Sequence, residues 1–238
     1  MRWLLLICVT ALASCVVPVF PTTRVAAPVT APSRNLDPVS RAVAAMGGVE
    51  ALRALRSASI RGTAKHWEPE QSQVPGGDAR FAAESSFELT LDFVNQRART
   101  DWVKRFSYPS PRTFNYAELV TPEAGYVVGV DSNSRNARSR ASHPPAHTMS
   151  GLRLAAALRE LRRSSPTLLL EMHDHPERVQ RRPNVVVDTV AYPALSYNAG
   201  SYSFIVMFDP HSGLPARVRS LDYDNLLGNV DFDLVLSD

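Results

Sequence analysis

The most chemically suggestive stretch of the 238-residue chain is Glu171-Met172-His173-Asp174-His175-Pro176. Two histidines around an aspartate are the residue types that hold zinc in hydrolases. Their spacing argues against it. Leu168, Leu169 and Met172 recur at helical intervals, and on a continuing helix His173 and His175 would point about 200° apart, whereas same-face pairs lie three or four positions apart. Pro176 disfavours helical geometry at His175 and suits the first position of a new helix. We read the stretch as a helix end, with Asp174 or His175 capping "PERVQ" and Glu177 in the first turn, and assign no metal ligand to it.

The remaining candidates are scattered. His143 and His147 stand in an arginine-rich loop with two prolines between them, while His66 and His211 are isolated. Ser164 and Ser165 read as helix-cap material, since no Gly-x-Ser-x-Gly elbow surrounds them. No glycine-rich phosphate loop occurs. Asp222 and Asp224 fall at a strand end, and Asp231 and Asp233 share the polar face of the last strand, where they read as surface charge rather than as calcium or catalytic groups. No catalytic residue, metal or cofactor is assigned.

The elements that would position these residues alternate between two periods. Asp37-Pro38 opens a helix carrying Val39, Val43 and Met46, broken by Gly47-Gly48 before "VEALRALRS". Strands follow at "SASIRGTAKHW", "SFELTLDFV", "RARTDWVKRF", "TFNYAELV" and "GYVVGVD". The stretch "DSNSRNARSRASHPPAHT" reads as a loop. Leu152, Ala155, Leu158 and Leu161 mark the apolar face of a second helical region, and Ser165-Pro166 restarts a further helix. Strands return at "NVVVDTVAY", "SYSFIVMFD", "LPARVRSLDYD" and "NVDFDLVLSD". Two groups of helices cannot be alternating crossovers, so the class is α+β: a curved antiparallel sheet, half-barrel-like, with helices packed on its open side. The last strand leaves an edge open to pairing.

Along those strands Phe87, Leu89, Leu91 and Phe93 share a face, as do Phe204, Val206 and Phe208, and Val230, Phe232 and Leu234. Together they read either as a plain core under the helices or as a groove for an acyl chain or other apolar ligand. Mutual packing and ligand packing give the same alternation.

The N-terminus "MRWLLLICVTALASC" joins a positive residue to an apolar run shorter than the roughly 20 residues a membrane span needs. Residues 1–14 read as a signal peptide. Leu12-Ala13-Ser14-Cys15 resembles the lipobox of bacterial lipoproteins, which implies cleavage before Cys15 and acylation of it. Val16 is not the aspartate that tends to retain such proteins at the inner membrane, so the resemblance implies the periplasmic face of the outer membrane. Residues 15–36, rich in proline, alanine and threonine, form a tether that at about 3.1 Å per residue reaches roughly 60 Å. A single domain follows, 37–238. With Cys8 removed and Cys15 acylated no disulfide forms. The net charge of +3 is mild and spread along the chain, so no nucleic-acid partner is assigned.

Two segments, "AVAAMGGVEALRALRSASIRGTA" and "FDPHSGLPARVRSLDYDNLLGNVDFDLVLSD", resemble the N-terminal region found ahead of the catalytic domain in bacterial exported metallo-β-lactamase-fold hydrolases. They are also similar to the curved-sheet lipoprotein carriers of the envelope, whose half-barrels hold acyl chains. The His-x-His-x-Asp-His motif of those hydrolases is absent from this sequence, so no metal ligand carries over. The expectation is a membrane-anchored, non-catalytic module that binds an apolar ligand or an envelope partner. The alternative is the accessory half, or a shortened product, of a hydrolase whose catalytic residues lie on another chain.

Overall fold

A computed structural model of the chain describes residues 9–10, 37–68, 72, 74–108, 110–131, 145–224 and 228–237. The lipobox, the tether and His143 lie outside the described residues. Twelve strands and four helices are ordered β1 (Val9–Thr10), α1 (Pro38–Ala45), α2 (Gly48–Arg53), β2 (Ser57–Glu68), β3 (Arg80–Asp92), β4 (Arg97–Phe106), β5 (Arg112–Val120), β6 (Gly125–Gly129), β7 (Ala146–Thr148), α3 (Gly151–Ser164), α4 (Thr167–Asp174), β8 (Val179–Val187), β9 (Val190–Ala199), β10 (Tyr202–Phe208), β11 (Pro215–Asp224) and β12 (Gly228–Val235).

The class is α+β, as the periodicity requires, but hydrogen bonding divides the strands into two open sheets. Strands β2 to β7 form an antiparallel meander, with the two residues of β1 pairing parallel to Ala64 and Lys65 at its edge. Strands β8 to β12 form a second antiparallel meander, with β12 at one edge as expected. The helices cover the inner faces. Val39 and Val43 of α1, Leu52 of α2, and Leu168, Leu169 and Met172 of α4 pack on Leu195, Tyr197, Phe204, Val206, Phe208, Val218 and Leu234 of the second sheet. Helix α3 lays Leu154, Ala157, Leu158 and Leu161 on Leu89, Leu91, Ala98 and Val120 of the first.

Several expectations need correction. The packed face of α3 runs through Leu154, Ala157, Leu158 and Leu161, and Leu152, on the nearly opposite side, is 87% exposed. The helix expected at "PERVQ" is a single 3₁₀ turn, Pro176–Arg178, because Val179 already pairs with Tyr197 as the first residue of β8. The run "NVVVDTVAY" is two strands rather than one. Asp188 and Thr189 both take positive φ (49° and 73°) and turn β8 back into β9, a hairpin turn that an Asp-Gly pair would have advertised. Strand β9 continues through Pro193, which a central strand normally excludes. The ladder shifts register between Arg182 and Val185, so Pro193 sits opposite a bulge containing Pro183 and Asn184, where no donor is demanded of it. Within the stretch read as a loop, Ala146–Thr148 adds a strand to β6.

The Gly47-Gly48 break works as read: both glycines take positive φ (104° and 90°), separating α1 from α2. Gly62 serves a different need. It faces Phe87 across the β2–β3 ladder, and a Cβ there would lie 2.6 Å from the Phe87 ring.

Charge ties α3 to both sheets. Arg153, in its first turn, donates to Glu118 Oε1 of β5 at 2.6 Å and to Asp131 Oδ2 at 2.6 Å, and Asp131 is only 1% exposed. Arg159 pairs with Asp222 of β11, and Arg163 donates to the Phe232 carbonyl of β12 at 2.9 Å. Removing one partner of a buried pair strands the other. Arg153→Met is therefore expected to cost about 3 kcal/mol of unfolding free energy in urea titrations. Arg99→Ala, which breaks a pair with Asp101 on the solvent face, should cost less than about 1 kcal/mol.

Candidate functional site

The opening stretch ends α4, as read, and its side chains turn to separate partners. Asp174 receives two hydrogen bonds from Arg53 Nη2, at 3.0 and 3.1 Å, and lies 3.0 Å from His173 Nδ1. Those bonds, His173 first and then Arg53, hold its carboxyl below the ordinary aspartate range. His175 reaches Glu177 at 3.2 Å and caps nothing with its side chain. Glu171 accepts from Arg162 at 2.9 Å and from the Tyr197 hydroxyl at 3.4 Å. Each carboxylate is already neutralised by a neighbouring cation. Among the described residues no group of three or more His, Cys, Asp or Glu could hold a metal.

Other candidates fall into structural roles. Ser165 Oγ accepts from Thr167 N at 3.2 Å, the cap expected of it, and Ser164 Oγ donates back to Glu160 O at 2.9 Å. Asp222 pairs with Arg159. Asp231 and Asp233 face Arg219 across the β11–β12 ladder, at 3.3 and 2.7 Å, so they are partnered rather than idle surface charge. His147 sits opposite Val127 on β7, and His211 lies in the turn whose amides close on Asp209 Oδ1.

His66 is the exception. It lies half-buried on the inner face of β2, with Nε2 2.8 Å from Ser85 Oγ. Burial, helped by the Lys104 charge, pushes its pKa down from 6.5 to about 4. Nearby, rings run across three strands: Phe87 and Trp102 are 5.1 Å apart, Trp102 and Tyr116 6.4 Å. Trp102 Nε1 donates to Glu118 Oε2 at 2.9 Å, beside Arg153. Burial first, then Glu118, pushes the Tyr116 hydroxyl up. This cluster of Trp102, Glu118, Arg153 and Asp131 escaped the sequence reading, because its members come from four segments with no shared motif.

The apolar strand faces do not line one surface. They form two clusters that share only Ile60 at their boundary, and Phe204, Val206 and Phe208 are 0% exposed beneath helices. Val230 joins neither cluster, and Phe232 sits by the Arg163 guanidinium at 6.0 Å. What remains open lies beside the helices. A cleft of about 480 Å³ is bounded by Leu91, Phe93, Arg97, Arg162, Glu171 and His175, so it is rimmed by charge. A second cleft, about 310 Å³, runs between the start of α4, the end of α1 and strands β10 to β12. Its walls are chiefly apolar: Met46, Leu168, Leu169, Val206, Leu234 and Leu236. Polar groups are confined to a few positions, among them Ser165, Ser212 and Arg163. The Asp209–Gly213 turn shapes one side by bringing Leu214 and Pro215 against it.

That combination, apolar walls with a few convergent polar groups, is how small-molecule sites are built, and 310 Å³ stands near the lower end of their usual size. No protein family, curated protein or solved structure matches the chain.

Because His66 is neutral in the fold, protons bind the unfolded chain first. Stability is fully present above pH 6.5 and is lost as pH falls toward about 4. His66→Asn is expected to remove, on the order of, 1 kcal/mol of this acid-side loss once solvent screening is counted. Thermal melts of both proteins across that window measure it; identical pH profiles would contradict it.

Proposed function

We propose that the chain is a non-catalytic binding module that holds one apolar ligand in the cleft between α4 and strands β10 to β12, on a body tied to a membrane through an acylated Cys15. The observation that carries the ligand reading is a cleft with chiefly apolar walls, in which Met46, Leu214 and Leu236 stay partly exposed over a floor of buried Leu168, Leu169, Val206 and Leu234. Its volume equals on the order of ten water molecules. That suits a single short acyl chain or one ring system, not a bundle of chains. Apolar surface buried there would contribute roughly 25 cal/mol per Å² before the costs of association.

The membrane reading rests on Leu12-Ala13-Ser14-Cys15 and the proline-rich residues that follow. It places the domain at the periplasmic face of an outer membrane. Charges on the strand faces and helix α3 are absorbed in pairs such as Arg153–Glu118 and Arg219–Asp233, which leaves them holding the fold rather than poised for proton transfer.

Each half has its own test. Growth with labelled palmitate should mark the wild type and leave Cys15→Ala unlabelled; an unlabelled wild type would end the anchoring claim. Ala216 lines the cleft from β11, and Ala216→Phe should fill it on a strand that tolerates an aromatic residue. Lipid mass spectrometry of the purified protein should find a bound apolar molecule in the wild type. A fluorescent fatty acid should bind Ala216→Phe more weakly by on the order of tenfold. Equal binding by both would move the ligand elsewhere.

A further inference from the structure

A third concavity has a different character. Between the first turn of α1 and the β8–β9 hairpin lies a cleft of about 250 Å³, lined by Pro38, Arg41, Arg181, Arg182, Asn184 and Pro193. The three arginines are exposed, and none forms an ion pair with a carboxylate among the described residues. By contrast, Arg153, Arg159, Arg162, Arg163 and Arg219, along and beside α3, all have carboxylate partners. Arg41, Arg181 and Arg182 thus bring three positive charges to the border of one hollow, and an anion there would relieve their mutual repulsion. Guanidinium forks match the oxygen geometry of phosphate, and an Asn184 amide adds a neutral donor. The register shift between Arg182 and Val185 takes Asn184 off the regular ladder, while Arg181 and Arg182 stay paired with Leu195 and Ala194.

Position adds a second argument. Pro38, in the wall of the cleft, is the first residue of α1. The segment that leads toward Cys15 therefore joins the domain beside this cleft.

We propose that Arg41, Arg181, Arg182 and Asn184 form a site for the phosphate of an anionic lipid headgroup in the membrane that carries the protein. The site orients the tethered domain, with this face toward the lipid. The orienting role rests on the anchoring reading, whereas headgroup binding does not. The occupant's chemistry is a phosphate group; a free phosphate shares it, so the two sources are separated below.

The test uses the full chain with Cys15→Ser, which cannot be acylated, in flotation with vesicles of phosphatidylethanolamine and phosphatidylglycerol. Vesicles of phosphatidylcholine alone serve as the neutral control. The combined Arg41→Gln, Arg181→Gln, Arg182→Gln variant should lose affinity for the anionic vesicles by on the order of a hundredfold. Arg61→Gln, Arg97→Gln, Arg105→Gln, which removes the same charge from the first sheet, should lose much less. The leader is common to all three proteins, so differences between them read the cleft. Equal losses in the two triple variants, or no loss in the first, would overturn the site. Binding of inorganic phosphate at the cleft without vesicle binding would overturn the lipid assignment. If palmitate labelling fails while the vesicle result holds, the anchor falls and the headgroup site stands.

Discussion

The guanidinium of Arg153 lies between Glu118 and Asp131, and Asp131 is 1% exposed. An aspartate so deeply placed needs its cation, because an unpaired buried charge is among the most destabilising groups a fold can hold. This pairing fixes the first turn of α3 against β5. The rest of the helix follows: Leu154, Leu158 and Leu161 settle on the first sheet, while Arg159 and Arg163 reach Asp222 and the Phe232 carbonyl on the second. Two open sheets that share no strand pairing are thereby held on one helix. Apolar contact supplies most of the driving force, and the arginines set where along the sheets the helix stops.

Because α3 and α4 fill the inner faces, the space left for a ligand is marginal rather than central. A half-barrel with an empty interior would have placed Phe87, Leu89, Phe204 and Phe208 around a common cavity. Here Phe204 and Phe208 are sealed under α1 and α4, and Phe87 leans tilted against Trp102 over the glycine at position 62. The apolar opening that survives lies past the start of α4, where Ser165 and Pro166 turn the chain and the Asp209–Gly213 turn stands opposite. The walls of the cleft and the core of the fold thus share residues, Leu168, Leu169 and Val206 among them.

Much of this was legible in the residues. The alternation in "SFELTLDFV" and "SYSFIVMFD" gave strands and their buried faces, and Gly47-Gly48 gave the helix break. The spacing of His173 and His175 correctly argued for a helix end. Three things were hidden. Prolines at 183 and 193 masked β9, since nothing local reveals that they face each other across a bulge. Asp188 and Thr189 make a left-handed turn without a glycine. Helix α3 carries apolar residues at 152, 155, 158 and 161 as well as at 154, 157 and 158, so its buried face was decided by tertiary packing and by Arg153 rather than by the pattern alone. The clefts were least legible of all, because their walls join segments as distant as Met46 and Leu236.

The most direct measurement is methyl NMR of the isotopically labelled protein titrated with a short fatty acid. A ligand held between α4 and β10 to β12 predicts saturable shifts at the methyls of Leu168, Leu169, Val206, Val218, Leu234 and Leu236, with Leu89 and Leu91 unmoved. Shifts centred on Leu89 and Leu91, or no saturable shift anywhere, would contradict it.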